Sequence, residues 1–186
     1  MAQQMYGGHG YIAENGMEQF VRDSRIAMIY EGANGIQALD LVGRKLGKDG
    51  GRAVMAFFNE VGGFIKDNGS DAMKPYLAPL GNALGQLQQA TMWFAANGLA
   101  KPDNAGAGST DYMHMFGLVA LGYMWAQMAK VAQDKLAAGA DAAAQLNAKL
   151  VTARFFMERM LPETAAQLAR IQSGADSTMA LPAEAF

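Results

Sequence analysis

The chain of 186 residues is long enough for one ordinary domain, and its 51% hydrophobic content excludes a disordered protein. The 15 basic and 17 acidic side chains nearly balance and form no long run of one sign, which argues against nucleic acid or an anionic membrane as a partner. The absence of cysteine excludes disulfides and thiolates, and with only two isolated histidines a metal site is not expected. The lack of cysteine and of a signal peptide suits a cytoplasmic protein.

Hydrophobic residues recur with the helical period along nearly the whole chain, and no segment shows the two-residue alternation of a strand. The sequence therefore predicts an all-α protein, an up-and-down helical bundle with glycine-rich N-terminal loops. The first two predicted helices are short. One ends near Ile29 with an apolar face that includes Phe20 and Val21, and the other runs from Ile36 to Leu46.

A third helix is predicted by the regular apolar spacing of residues 54–65, and the sequence DNGS ends it. A fourth helix follows, with Ser70 or Asp71 as its candidate cap and an end near Asn97.

Residues 101–110, KPDNAGAGST, give the strongest loop prediction because they combine proline, glycines and small polar side chains. Ser109 or Thr110 is then the candidate cap of a long fifth helix. Residues 112–129 of that helix are uncharged and barely long enough to span a bilayer. His114 interrupts them, so we favour a buried bundle helix with His114 in its core over a transmembrane span.

A sixth helix is predicted over about residues 140–171, and Pro162 should kink or divide it. The chain therefore divides into three segments. Residues 1–50 are rich in glycine and suited to binding, residues 51–172 form the bundle, and residues 173–186 form a weakly ordered tail.

Three blocks near the N-terminus carry a resemblance to a known family. They are QMYGGHGY from Gln4, RDSRIAMIYEG from Arg22 and GIQALDLVGRKL from Gly35. In this order and spacing they resemble the C-terminal segment of acyl-CoA dehydrogenases, and the later helices resemble the extension of larger bacterial members, including those that act on methylthiopropanoyl-CoA. The resemblance implies α,β-dehydrogenation of an acyl-CoA thioester, with FAD as the hydride acceptor.

The family's catalytic base is the glutamate of its YEG motif, and the matching residue here is Glu31. The residue pattern agrees, since Glu31 lies between an aromatic residue and a glycine at a helix break, where a carboxylate can be buried and aimed. The resemblance also implies that Tyr30 lines the acyl pocket, that Gly32 lets the backbone approach the thioester, and that the N–H of Glu31 polarises its carbonyl. Taken alone, Glu31 reads as a solvated helix-terminal glutamate and Tyr30 as an interior tyrosine.

The same resemblance implies that Gln4, Gly7 and Gly8 contact the ADP portion of an FAD bound mainly by the neighbouring subunit, and hence that the protein is a homo-oligomer. Backbone N–H groups exposed by glycine suit pyrophosphate oxygens. The alternative is a plain loop that links helices.

The chain departs from the family pattern directly after the base. Many members carry a hydroxyl residue and a glutamine that touch the flavin at the positions of Ala33 and Gly35. Asn34 is a candidate to replace those contacts.

The resembled enzymes also have an N-terminal helical domain and a β-domain that supply most of the flavin pocket. We therefore expect this chain to be a C-terminal fragment of an FAD-dependent acyl-CoA dehydrogenase that is inactive without those domains. Electron-transfer flavoprotein is the expected electron acceptor of the parent enzyme. The alternatives are a non-catalytic helical oligomerisation module and a flavoenzyme of the acyl-CoA oxidase type on the same fold.

Overall fold

The computed structural model describes residues 1–98 and 100–185 of the chain. Their regular structure is helical, with no strand among them, which confirms the predicted all-α class. The chain separates into two compact units, Met1–Ala38 and Leu39–Phe186. The segment boundaries predicted after residues 50 and 172 stay predictions.

The N-terminal unit consists of short helical pieces joined by tight turns. These are α1 (Ala2–Met5), a 3₁₀ helix (Gly7–Tyr11), a second 3₁₀ helix (Ala13–Asn15), α2 (Met17–Ile26) and α3 (Asn34–Asp40), whose last two residues belong to the C-terminal unit. Over residues 1–38, all of which are described, only Gly10 and Ala38 are buried. The predicted apolar face of α2 is exposed, with Phe20 at 59% and Val21 at 45% of full exposure.

The C-terminal unit contains the long helices and the hydrophobic core. Its elements are a π segment (Leu41–Lys45), a 3₁₀ helix (Lys48–Gly51), α4 (Arg52–Asp67), α5 (Lys74–Asn97), α6 (Pro102–Ala137), α7 (Ala143–Phe155), a second π segment (Phe156–Met160), α8 (Glu163–Gln172) and a last 3₁₀ helix (Ala183–Ala185). Helix α6 packs against α5, α7 and α8, and α4 packs against α5. Helix α6 is therefore the centre of the bundle.

Polar contacts show that the neighbouring long helices α5 and α6 run in opposite directions. Gln133 Nε2, near the end of α6, donates to the carbonyl of Ala72 at 2.8 Å, just before α5 begins. Near the other end of the pair, the hydroxyls of Thr91 and Tyr112 are hydrogen-bonded at 2.7 Å. This antiparallel packing agrees with the predicted up-and-down bundle.

The predicted loop at residues 101–110 is wrong, because α6 begins at Pro102 and runs through the whole stretch. Proline fits the first helical position, where its missing N–H removes no helical hydrogen bond. Neither candidate cap lies at a helix start. Ser109 is buried within α6, where its hydroxyl donates to the carbonyl of Gly106 at 3.2 Å, and Thr110 is an exposed residue of the same helix.

Two further local predictions need correction. Ser70 and Asp71 do not cap α5 directly, since α5 begins at Lys74, but Ser70 Oγ accepts a hydrogen bond at 3.3 Å from Met73 N in the turn before it. His114 is exposed, because it lies on the opposite side of α6 from the core residues. Over the described residues, none of the helices combines the length and the hydropathy that a membrane crossing requires.

Pro162 divides the sixth predicted helix, as the sequence indicates. Helix α7 ends at Phe155, the π segment follows, and α8 begins one residue after the proline. The N–H of Leu161 reaches the carbonyl of Phe156 at 3.0 Å, a hydrogen bond one residue longer than in an α-helix. The wider turn fits a proline that donates no hydrogen bond and would crowd an α-helical carbonyl.

The first residues of the predicted tail are attached to the bundle, so the expectation of weak order is wrong for them. Ala175 is buried and its N–H donates to Asn104 Oδ1 at 3.0 Å, while Asp176 forms an ion pair with Lys101. Both partners lie at the beginning of α6.

Candidate functional site

The loop between α2 and α3 carries three of the predicted site residues, Tyr30, Glu31 and Gly32. A hydrogen bond of 3.1 Å from Asn34 N to the carbonyl of Met28 joins the two sides of this loop. The YEG motif is therefore held in a short, closed turn.

The backbone of this turn adopts an unusual conformation. Glu31 has φ 50° and Gly32 has φ 112°, and among the described non-glycine residues only Glu31 and Asp49 have positive φ. For a residue with a side chain, left-handed backbone costs about 1–2 kcal/mol. Such strain tends to occur where a functional site requires a particular backbone geometry. The positive φ at Glu31 therefore supports this turn as the candidate functional site.

The expected burial of Glu31 is absent in this chain. Glu31 is exposed and Tyr30 keeps 55% of its full exposure, whereas Gly32 is half-buried. The prediction of a buried carboxylate at Glu31 is therefore wrong for the chain as it stands, and so is the alternative reading of Tyr30 as an interior tyrosine. The reason is that residues 1–38 bury almost nothing.

The glycine-rich turn holds the other three predicted residues. Gln4 is exposed on α1, and Gly7 and Gly8 open the 3₁₀ helix that follows. Gly7 has φ 57°, a left-handed backbone conformation that favours glycine at this position. Gly8 has no positive φ, and a Cβ at residue 8 would meet no atom within 4 Å. Neither the backbone nor the packing of this chain therefore requires glycine at position 8.

Gly10 has a structural role that the sequence did not reveal. A Cβ at residue 10 would overlap the carbonyl oxygen of Gln3 and lie 2.9 Å from its carbon. Gly10 is thus needed for the close approach of the 3₁₀ helix to α1. His9 is exposed, and its carbonyl accepts a hydrogen bond of 2.7 Å from Asn15 Nδ2.

The two sets of predicted residues are linked through α2. Helix α1 and the first 3₁₀ helix both pack against α2, and the YEG turn follows the end of α2. No hydrogen bond joins Gln4, Gly7 or Gly8 to Tyr30, Glu31 or Gly32, all of which the structure describes.

Ala33, where the chain departs from the family pattern, and its neighbour Asn34 both make backbone hydrogen bonds in the turn. The carbonyl of Ala33 accepts a hydrogen bond of 3.0 Å from Gln37 N, and Asn34 supplies the N–H that closes the loop. Gln37 also lies beside Gly32, since a Cβ at residue 32 would overlap its Nε2 and lie 3.2 Å from its Cδ. The sequence assigned no role to Gln37, because this contact depends on the shape of the turn.

Among the open clefts formed by the described residues of the C-terminal unit, two are of notable size, and neither contains a predicted site residue. The larger one, of about 450 Å³ between α6 and α7, is lined by residues that include Val131, Lys135, Leu146 and Lys149. The other, of about 350 Å³, lies at the start of α5. Within residues 1–98 and 100–185, no group of three or more histidine, aspartate and glutamate side chains is arranged to hold a metal ion.

Comparison with known proteins places both units in one family. Residues 1–46 match the family model described as acyl-CoA dehydrogenase, C-terminal domain. Residues 57–182 match a second model, described as acetyl-CoA dehydrogenase C-terminal like.

Several curated proteins are similar along most of the chain. The chain is 36% identical to 3-methylmercaptopropionyl-CoA dehydrogenase of Ruegeria pomeroyi, over 95% of its own length and 30% of that protein. It is 29% identical to the broad-specificity linear acyl-CoA dehydrogenase FadE5 of Mycobacterium tuberculosis, over 86% of the chain and 28% of that protein. A butyryl-CoA dehydrogenase of Syntrophomonas wolfei is 27% identical, over 98% of the chain and 30% of that protein.

The chain thus spans about 30% of the length of the curated relatives it matches. Its N-terminal unit carries the YEG turn and the glycine-rich turn, and one family model matches more than half of the chain. The chain therefore belongs to the acyl-CoA dehydrogenase family and corresponds to its C-terminal region.

Proposed function

We propose that the protein to which this chain belongs is an FAD-dependent acyl-CoA dehydrogenase, and that Glu31 is its catalytic base. The observation that carries this proposal is the strained backbone of Glu31, with φ 50°, next to Gly32 in a closed turn. A solvated helix-terminal glutamate needs no such conformation. Membership of the acyl-CoA dehydrogenase family supports the same reaction class.

In this reaction the Glu31 carboxylate accepts the proton from the α-carbon of the acyl-CoA thioester. Bound FAD supplies the acceptor for the hydride from the β-carbon. The N–H of Glu31 donates to the thioester carbonyl and stabilises the enolate-like charge that develops there. Gly32 has no side chain next to that N–H, which leaves the backbone open to the thioester.

Gln4, Gly7 and Gly8 are the proposed contacts to the ADP portion of FAD. Gly8 supports the FAD contact. Nothing within the chain itself requires glycine at position 8, whereas a pyrophosphate group that approaches the backbone there would require it. We propose that this FAD is bound mainly by a neighbouring subunit, which makes the protein a homo-oligomer.

The exposure of Glu31 and Tyr30 bears on what the chain does by itself. A base that removes a weakly acidic C–H proton needs a site from which water is excluded. Since both side chains are exposed here, we propose that the chain alone is inactive and that other parts of the enzyme cover the YEG turn and complete the acyl pocket.

The relatives' names support a proposal for the substrate class. The protein from Ruegeria pomeroyi is named for 3-methylmercaptopropionyl-CoA, and the one from Syntrophomonas wolfei for butyryl-CoA. We propose a short acyl-CoA, with or without a sulfur atom in the chain, as the substrate. Electron-transfer flavoprotein is the proposed electron acceptor, and a chain without cysteine is consistent with the cytoplasm.

The test uses the complete protein with Glu31→Gln, which keeps the size of the side chain and removes the base. We expect the variant to bind FAD but to lose flavin bleaching by acyl-CoAs by roughly 10²-fold or more. The matched control is Glu14→Gln, at an exposed acid of the second 3₁₀ helix, which should bleach like the unchanged protein. If Glu31→Gln bleaches at the unchanged rate, Glu31 is not the base.

A second candidate is a non-catalytic oligomerisation module, favoured by the apolar side chains that the N-terminal unit leaves exposed. Tyr11, Phe20 and Ile36 are among them, at 82%, 59% and 61% of full exposure. The absorbance of the purified complete protein distinguishes the two functions, because an enzyme that binds FAD is yellow. A colourless protein that takes up no added FAD supports the module.

A further inference from the structure

The side chain of Gln37 occupies the space beside Gly32. A Cβ at residue 32 would overlap Gln37 Nε2 and lie 3.2 Å from Cδ and 3.5 Å from Cγ. Gln37 lies in the first turns of α3, so its side chain reaches back over the preceding loop. The Gln37 amide therefore fills the space that a side chain at position 32 would occupy.

The other contacts of this loop hold its ends. The hydrogen bond from Asn34 N to Met28 O joins the two sides, and the one from Gln37 N to Ala33 O starts α3. Neither involves the backbone of Glu31 or Gly32, which carries the positive φ values. Gln37 packs on Gly32, which directly follows the strained residue Glu31.

We propose that Gln37 is a positioning residue, which holds the Glu31–Gly32 backbone in its left-handed geometry and thereby orients the Glu31 carboxylate. This inference rests on the proposed role of Glu31 as the base. A non-glycine residue leaves left-handed backbone readily unless its surroundings hold it there, and Gln37 is a side chain packed on Gly32, the neighbour of Glu31. Displacement of a reacting group by about 1 Å is enough to lower a rate by roughly 10²-fold.

The test measures backbone mobility and chemistry separately in the complete protein. In Gln37→Ala the side chain beside Gly32 is lost. We expect the amides of residues 31–33 to exchange hydrogen about tenfold faster, because the local opening becomes less costly. We also expect bleaching at saturating acyl-CoA to slow by roughly 10- to 100-fold, with unchanged FAD content and little change in KM.

Two further variants complete the design. Gln37→Met refills the space without an amide, and recovery of slow exchange and of the bleaching rate in this variant supports positioning by contact. Gln19→Ala is the control, because Gln19 is an exposed glutamine of α2 that donates to Asp23 Oδ1. It should change neither readout.

The inference is overturned if Gln37→Ala leaves both hydrogen exchange and bleaching unchanged. It is also overturned if the alanine variant loses FAD or unfolds and the methionine variant does not recover slow exchange. Failure of the proposed function looks different, since Glu31→Gln would then bleach normally whatever residue stands at position 37.

Discussion

Gly108 of α6 lies directly against the ring of Phe94 in α5. A Cβ at residue 108 would lie 2.9 Å from Cζ of Phe94 and 3.5 Å from Cγ1 of Ile171 in α8. Real side chains do not tolerate the first of these distances, so the three helices approach this closely only because residue 108 is glycine. A residue that is unfavourable for an isolated helix is thus required by the bundle.

We therefore expect Gly108→Ala to lower the free energy of unfolding by about 1–3 kcal/mol, as overpacking does in a dense core. Gly106→Ala is the matched control in the same helix, because a Cβ there would meet no atom within 4 Å. It should raise the free energy of unfolding by about 0.5–1 kcal/mol, the difference between alanine and glycine within a helix. Urea denaturation of both variants checks this, and a stabilised Gly108→Ala would contradict the packing.

The glycine-rich turn allows a second pair of variants. Gly8→Ala should preserve the turn, since Gly8 has no positive φ and no close neighbour, yet weaken FAD binding by the complete protein by about tenfold or more through contact with the pyrophosphate. Gly10→Ala should disturb the turn itself, because its Cβ would overlap the carbonyl of Gln3. Titration with FAD and hydrogen exchange at residues 3–10 separate the effects. Unchanged FAD affinity in Gly8→Ala would argue against this turn as a cofactor contact.

We expect Tyr112 to make the bundle less stable at alkaline pH. Burial raises the pKa of Tyr112 to about 12, and the hydrogen bond to Thr91 opposes this only in part. Since the folded protein holds this proton more tightly than the unfolded chain does, the stabilisation is complete below pH 10 and is lost as the pH rises from about 10 to 12. The loss attributable to Tyr112 should reach roughly 2–3 kcal/mol at the upper end.

Tyr112→Phe tests this dependence. The variant should be less stable at neutral pH by about 1 kcal/mol, since it loses a hydrogen bond, and should lose less stability between pH 10 and 12. Some dependence should remain, because burial also raises the pKa of Tyr76 and Tyr123. Tyr11→Phe, at an exposed tyrosine, is the control. Unfolding curves at pH 8, 10 and 11 provide the measurement, and equal slopes for the unchanged protein and Tyr112→Phe would refute the assignment.

The strain at Glu31 predicts a conflict between stability and activity. Asparagine adopts left-handed backbone more readily than glutamate, so Glu31→Asn should raise resistance of this turn to local opening by about 0.5–1 kcal/mol while it abolishes bleaching. Asp49→Asn is the control, because Asp49 has φ 52° but no proposed role in the reaction. It should change local stability at its own position little, since aspartate also tolerates left-handed backbone, and should keep the bleaching rate. Hydrogen exchange at each site measures the local gain, and faster exchange in Glu31→Asn would contradict it.

Much of the fold follows from the sequence because apolar spacing is what a bundle helix needs in order to pack. The helix over residues 54–65 and the division at Pro162 were predicted from spacing and from the chemistry of proline. The loop at residues 101–110 failed because its glycines were read by local propensity, whereas Gly108 is there for contact with Phe94. Contacts between helices distant in sequence leave no local signature.

The candidate site was less accessible to sequence reasoning. The order of motifs predicts Glu31 and Gly8 as site residues, but residues 1–38 do not provide the burial expected for Glu31. Gln37 and Gly10 gave no signal, because their roles come from the shape of the turns. Only a backbone with defined φ values shows that the Gln37 amide occupies the space beside Gly32.

The π segment Phe156–Met160 contains one residue more than an α-turn of the same shape would need. Phe156 and Met157 at the start of the segment and Leu161 directly after it are all buried. The additional residue is therefore accommodated without loss of core packing before or after the segment. A relative that lacks one residue here and has no proline at the position of Pro162 can close an ordinary α-turn and keep the same core. A single gap at this position in an alignment is therefore compatible with an unchanged bundle and should not be taken as a difference in fold.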